Sequence, residues 1–343
     1  MRKLLNTLFV TNPSYYLALD GDNILLRDGD NVIGRVPSHN LESIVTFGYQ
    51  GASPALMGYC SERNIAITYL NQHGRFRARL TGSSRGNVTL RKEQYRISDD
   101  ESRSVEVAKN FILGKVYNNR WIIERATRDY PLRIDVERFK KVSHSLKESL
   151  LDIRNCDNLE SLRGIEGQAA YMYYSVFNDL ILQQNDEFYF YGRNRRPPTD
   201  KVNALLSFSY TLLAHDVAAA LETVGLDSYV GFLHRDRPGR ISMALDLMEE
   251  FRGIYADRFV LTLINKKQIT AEDFEVKENK AVILTDEGRK KFLTYWQQKK
   301  QEQITHPFLK EKISWGLAPY SQAMLLARFI RSDVDEYPPF LWK

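Results

Sequence analysis

From Ser14 to about Gly82 apolar and polar residues alternate every second position, the pattern of half-buried strands. YYLALDGDNILLRDGDNVIGRVP is cut at Asp20-Gly21 and Asp28-Gly29, and Asp-Gly between alternating runs predicts hairpins. LESIVTFG (41 to 48), IAITYLN (65 to 71) and RFRARLTG (75 to 82) continue the alternation, with a short helix predicted over SPALMGYCSERN. After about Asn87 the period changes: Val105, Ala108, Ile112, Val116, Trp121, Ile122 and Ala126 recur at helical spacing behind an acidic first turn. Helical patterning then holds over ERFKKVSHSLKESLLDI, residues 165 to 184, DKVNALLSFSYTLLAHDVAAALETVG, SMALDLMEEFRGIYADRFVLTLI and residues 314 to 331. One hairpin, FEVKENKAVILT (274 to 285), interrupts it. The expected fold class is α+β: a small N-terminal mostly-β domain over 1 to 86, a linker or boundary over 87 to 100, and a larger all-α domain over 101 to 343.

Composition narrows the class. The 343 residues are 43% hydrophobic and 27% charged, enough apolar surface for a full core, which excludes a disordered or fibrous chain. No apolar run approaches the roughly 18 to 20 residues of a membrane span, and MRKLLNTLFVTNPSYY lacks a secretory core, so a soluble cytoplasmic protein is expected. Cys60 and Cys156 are the only cysteines, too few for a disulfide framework or a CxxC zinc site. The net charge is +5, and all of it lies in residues 1 to 98; the remainder is neutral. A nucleic-acid footprint in the larger part must therefore come from local clusters.

Three stretches could carry chemistry. In LESLRGIEGQAAYMYYSVFNDLIL, Glu166 stands between two glycines at the predicted head of a helix, in line with Ala170, Tyr173 and Phe177. A carboxylate that starts on an apolar face needs a cation, a hydrogen-bond partner or a proton; a solvated first-turn glutamate favoured by the helix dipole fits the position slightly better. In VGFLHRDRPGRISMALDLMEEFRG, His234 ends an apolar run, and Ser242, Asp246 and Glu249 share one stripe of the following helix. Two carboxylates so placed repel unless a cation lies between them. A solvated acidic face capped by Arg252 is the commoner outcome for an isolated DxxE, and a lone His234 is more often a hydrogen-bonded core residue. In YFYGRNRRPPTDKVNALLSFSYTLL, Arg193, Arg195, Arg196 and Lys201 gather beside Tyr189 and Tyr191, and Arg235, Arg237 and Arg240 surround a Pro-Gly turn. Arginines for phosphates beside carboxylates for a metal would make a phosphodiester site; solvated loop charge explains either loop alone equally well. There is no GxSxG, HExxH, Walker or GxGxxG word, which argues against serine-hydrolase and P-loop chemistry.

Together, GIEGQAAYMYY (164 to 174), RRPPTDKVNALLSFSYTLL (195 to 213) and VGLDSYVGFLHRDRPGRISMALDLMEEFR (224 to 252) resemble the CRISPR-associated integrase, or endonuclease, of the adaptation module. The likeness spans essentially the whole chain. It implies a metal site of Glu166, His234 and Glu249, with Asp246 as a second acidic position; many members carry Asp where Glu249 stands, so the roles of Asp246 and Glu249 stay open at this point. It also implies Mn²⁺ or Mg²⁺ as cofactor, double-stranded DNA (protospacer and CRISPR repeat) as substrate, a homodimer contacting through its β domains, and a second small CRISPR-associated adaptation protein as partner. The implied reaction is attack of a 3′-hydroxyl on a phosphodiester of the repeat, with the arginine loops on phosphates. Competing readings are a non-catalytic DNA-binding scaffold and a structure-selective DNA-repair nuclease. The C-terminal DEYPPFLWK could dock a partner, although packing on its own domain is the simpler expectation.

Overall fold

The structure is a computed structural model that describes residues 6–70, 76–80, 82 and 88–343. In chain order the first elements are β1 (Asn6–Val10), β2 (Tyr15–Asp20), β3 (Asn23–Asp28), β4 (Asn31–Pro37), β5 (Leu41–Thr46), α1 (Pro54–Glu62), β6 (Ala66–Leu70) and β7 (Phe76–Leu80). There follow α2 (Val88–Asp99), α3 (Glu101–Asp129), α4 (Val136–Asn155), α5 (Leu159–Ser175), α6 (Lys201–Val224) and α7 (Ser242–Phe251). A π-helical turn over Arg252–Asp257 leads into α8 (Arg258–Asn265). Last come β8 (Phe274–Val276), β9 (Val282–Leu284), α9 (Asp286–Gln301), β10 (Gln303–Thr305), β11 (Lys312–Ser314) and α10 (Ala318–Ile330). The chain divides into two compact units, one of Met1–Arg85, Leu284–Glu302 and Ser314–Leu317, the other of Gly86–Ile283, Gln303–Ile313 and Ala318–Lys343.

Among the described residues the first unit holds two sheets. β2, β3 and β4 form an antiparallel meander, and its two-residue turns place Gly21 and Gly29 at positive φ, the geometry that matches the right-handed twist of paired strands. The other sheet runs β1-β5-β6-β7, with β1-β5 and β5-β6 parallel. The alternation anticipated strands but neither β1 nor these parallel pairings, because periodicity is silent on strand order. Leu17, Ile24, Ile44, Leu56, Cys60 and Ile67 close the core. Of the predicted strand over 75 to 82, residues 76 to 80 form β7, while residues 75 and 81, with residue 71 of the preceding run, lie outside the described residues. Helix α9, inside the range expected for the helical domain (101 to 343), groups with this unit instead. Its buried face, Phe292, Leu293 and Trp296, packs toward β1 and Trp315.

In the second unit α3 is the axis. Twenty-nine residues long, about 43 Å at the usual rise, it starts on Asp100, whose carboxylate accepts the N–H groups of Ser102 and Arg103. It contacts α4, α5 and α7 and is buried on most of its circumference, with Asn110, Lys115, Asn118 and Asn119 buried among the apolar residues. Gly114 lets α7 close on α3: a Cβ there would come within 2.9 Å of Glu250 Cγ. Gly253 does the same in the π turn, 2.0 Å from Asn119 Oδ1. The predicted linker over 87 to 100 is instead the packed helix α2, with Leu90, Gln94 and Ile97 buried. α6 is long and apolar enough to cross a membrane by composition, but 72% of its most apolar window is buried, as in a core helix. The hairpin over 274 to 285 is present as β8-β9.

Candidate active site

Glu166 sits well inside α5, which begins at Leu159 behind the Asn158 cap. A helix-dipole explanation of this glutamate therefore fails, since the dipole acts within the first turn. The helix brings the carboxylate to α3, where Lys115 Nζ donates to Glu166 Oε1 in a very short contact. The same ammonium lies 2.7 Å from Glu249 Oε2, and both the Lys115 and Glu249 side chains are almost wholly buried. Burial opposes the charge on Lys115, but Glu249 and Glu166 outweigh it and raise its pKa. Burial likewise opposes ionisation of Glu249, yet Arg252 and Lys115 hold its carboxyl at about 2. Arg252 Nη1 donates to Glu249 Oε1 at 2.8 Å.

Asp246, fully buried on the same helix, has a different task. Its Oδ2 accepts the N–H groups of Phe232 (2.6 Å) and Leu233 (2.8 Å), and its Oδ1 accepts the His234 N–H (3.0 Å) and lies 2.5 Å from His234 Nδ1. Four contacts fill both oxygens, so Asp246 orients His234 and has no lone pair left for an ion. With Nδ1 engaged, Nε2 is the ring nitrogen left for a ligand. Burial works against a charged imidazole, but the Asp246 hydrogen bond and charge prevail and raise its pKa. Gly231 permits this close turn: a Cβ there would lie 2.8 Å from Asp246 Oδ2 and 3.0 Å from His234 O.

Residues that sequence reasoning missed fix the His234 loop. Arg163, one turn before Glu166, donates through Nε and Nη2 to Leu233 O at 3.2 and 2.7 Å. Gln94 of α2 donates to Asp227 O and Val230 O and accepts the Asp227 N–H, all within 2.9 Å, and Ser98 Oγ donates to Gly231 O at 2.8 Å. No local signal marks Lys115: with Asn118 and Asn119 at i+3 and i+4 it reads as part of a polar face, yet all three are buried.

The arginine-rich loops separate into two classes. Arg193 is committed to the protein, donating to Asn203 Oδ1 at 2.5 Å and Ser207 Oγ at 3.1 Å and lying over the Tyr210 ring. Lys201 donates to Glu187 Oε2 at 2.7 Å, and Arg240 donates to Ser242 Oγ and to Arg235 O. These three shape the loops; Arg195, Arg196, Arg235 and Arg237 are exposed and available to an anion. Tyr210 also lies under Arg252 and donates to Asp257, whose carboxyl burial raises to about 6.

Among the described residues no three His, Cys, Asp or Glu side chains stand close enough to ligate one ion as they are, since an ammonium occupies the space between Glu166 and Glu249. The donor set nonetheless suits a divalent cation. Glu249 Oε2 is buried without an aligned hydrogen bond and has only the charge of Lys115 beside it, Glu166 is partly open to solvent, and His234 keeps an imidazole nitrogen. Two carboxylates and an imidazole with no thiolate match Mn²⁺ or Mg²⁺ rather than structural zinc.

Residues 8–298 match the family model "CRISPR associated protein Cas1". The chain is 47% identical over 343 residues to "CRISPR-associated endonuclease Cas1 1" of Chlorobaculum tepidum, covering 100% of both. Its fold is similar to that of a casposase bound to integration product (TM-score 0.83, 22% identity, 98% of this chain and 93% of that one). It is also similar to part of a Cas6-RT-Cas1–Cas2 complex (TM-score 0.81, 21% identity, 100% of this chain and 36% of that one). The match over most of the chain, at this identity, places it plainly: the protein belongs to the Cas1 family of CRISPR-associated endonucleases.

Proposed function

We propose that the protein is a metal-dependent DNA integrase and endonuclease that joins a DNA 3′-hydroxyl to a phosphodiester of a CRISPR repeat by transesterification. The observation that carries this reading is the convergence of Glu166 and Glu249 on one buried cation position, beside a histidine whose Nδ1 is fixed by Asp246. Glu166, Glu249 and His234 Nε2 would hold the ion, Mn²⁺ or Mg²⁺. Bound there, it supplies charge to the attacking and leaving oxygens of an in-line displacement. Asp246 holds the imidazole in the tautomer with a proton on Nδ1, and Arg252 keeps Glu249 ionised and stationary. Arg195, Arg196, Arg235 and Arg237 bind backbone phosphates and orient the duplex, a contribution that weakens with salt.

The fold shared with a casposase bound to integration product supports strand transfer, and the fold shared with a Cas1–Cas2 assembly supports a Cas2-type partner. A homodimer acting on protospacer and repeat DNA in the cytoplasm completes the proposal. The test is strand transfer of a 3′-hydroxyl duplex into supercoiled repeat DNA with Mn²⁺. His234→Ala should lose at least about a hundredfold in rate with DNA binding kept, and EDTA should abolish the product. Undiminished strand transfer by His234→Ala overturns the proposal, and product formation indifferent to chelator overturns its metal dependence.

A further inference from the structure

Two ionised carboxylates that face one buried point repel by several kcal/mol at an effective dielectric of about 20. A folded, metal-free chain therefore needs a positive charge there. Here the charge is covalently attached: Lys115 Nζ contacts Glu166 Oε1 and lies 2.7 Å from Glu249 Oε2, with the lysine side chain 6% exposed. Neither α5 nor α7 contributes a second cation between them; Arg252 reaches Glu249 from its other oxygen. The close approach of α3 and α7 at Gly114, one residue before Lys115, puts the ammonium at that point.

We propose that Lys115 is the resident counter-cation of the site, holding Glu166 and Glu249 together in the metal-free protein and yielding that position when a divalent ion binds. Ammonium and ion then compete for the same two carboxylates, and the lysine sets the concentration of metal at which the site loads. This rests on the metal site proposed above. A lysine that serves only as a permanent structural partner makes the opposite prediction, because its removal would loosen the carboxylates and weaken any ion they hold.

The experiment is a Mn²⁺ titration of the purified protein, read as loss of the free-ion electron paramagnetic resonance signal, together with thermal melting in EDTA and in saturating Mn²⁺. Lys115→Met should bind Mn²⁺ more tightly than wild type by about tenfold or more. It should melt lower than wild type in EDTA and recover more on adding Mn²⁺, since a ligand that binds only the folded state stabilises in proportion to its affinity. Lys115→Arg, which keeps the charge and folds without leaving the carboxylates unpaired, should bind Mn²⁺ more weakly than wild type. Equal or weaker binding by folded Lys115→Met, or unchanged binding by Lys115→Arg, overturns the inference and leaves the metal site standing. Absence of binding by wild type and Lys115→Met alike, or binding by Glu249→Gln as tight as that of wild type, overturns the metal site itself and the inference with it.

Discussion

Asp246 fills its oxygens with three backbone N–H groups and an imidazole, while three residues later Glu249 keeps one oxygen facing only a charge. Spacing alone left these two acids interchangeable, and the hydrogen bonds part them: one positions, the other is open to a cation. The next residue shows a third fate. Glu250 is fully buried and accepts from Gln322 Nε2, Phe340 N and Tyr337 OH, yet desolvation prevails over these bonds and lifts its pKa to about 8. An acid whose folded pKa exceeds its ordinary value of 4.5 binds its proton more tightly in the folded state. Its contribution to stability is fully present below 4.5 and is lost as pH rises through about 8. Urea unfolding of wild type and Glu250→Gln across that window should show the wild type losing stability relative to the variant; parallel curves would refute it. Buried His306, lowered from 6.5 to about 4 by desolvation, slopes the opposite way and only between those values, so the stretch above 6.5 reads Glu250 without it.

At the scale of elements, helix α2 carries more than its sequence suggests. NVTLRKEQYRISDD reads as a charged boundary, and indeed most of its charged side chains are exposed, but Gln94 is 0% exposed and ties three backbone groups of the segment leading to His234. Gln94→Ala would leave those part-buried groups without their partners, at a cost of roughly 1 to 3 kcal/mol. It should also slow strand transfer severalfold more than it weakens DNA binding, which parallel chemical denaturation and turnover assays would measure; wild-type turnover in a folded variant would refute the positioning role. The strands and long helices were legible because two periods, 2 and 3.6, record which face is buried. Glu166, His234 and Glu249 were legible as words. Lys115, Arg163 and Gln94 were not, because each acts on a partner 50 or more residues away, and no local pattern encodes a long-range hydrogen bond.

Across the whole molecule, the segment from Tyr337 to Trp342 joins helices that are far apart in sequence. Phe340 donates its N–H to Glu250 and accepts at its carbonyl from Asn118, the Trp342 N–H reaches Asn118 Oδ1, and the Trp342 ring lies within 4.6 and 4.9 Å of the guanidinium carbons of Arg125 and Arg258. The peptide read as a possible docking tail is thus spent on its own unit. Asn118 is one helical turn from Lys115 and Glu250 adjoins Glu249, so the segment braces both helices at the level of the carboxylates. Ending the chain after Glu336 should lower the melting temperature by several degrees and abolish strand transfer, with calorimetry and product assays as the measurements; an unchanged melting temperature would refute the brace. The same contacts impose an order on biosynthesis. Glu250 leaves the ribosome 87 to 90 residues ahead of the donors that Tyr337 and Phe340 provide, so the helices bearing Lys115 and Glu249 gain this brace only after those later residues have been made.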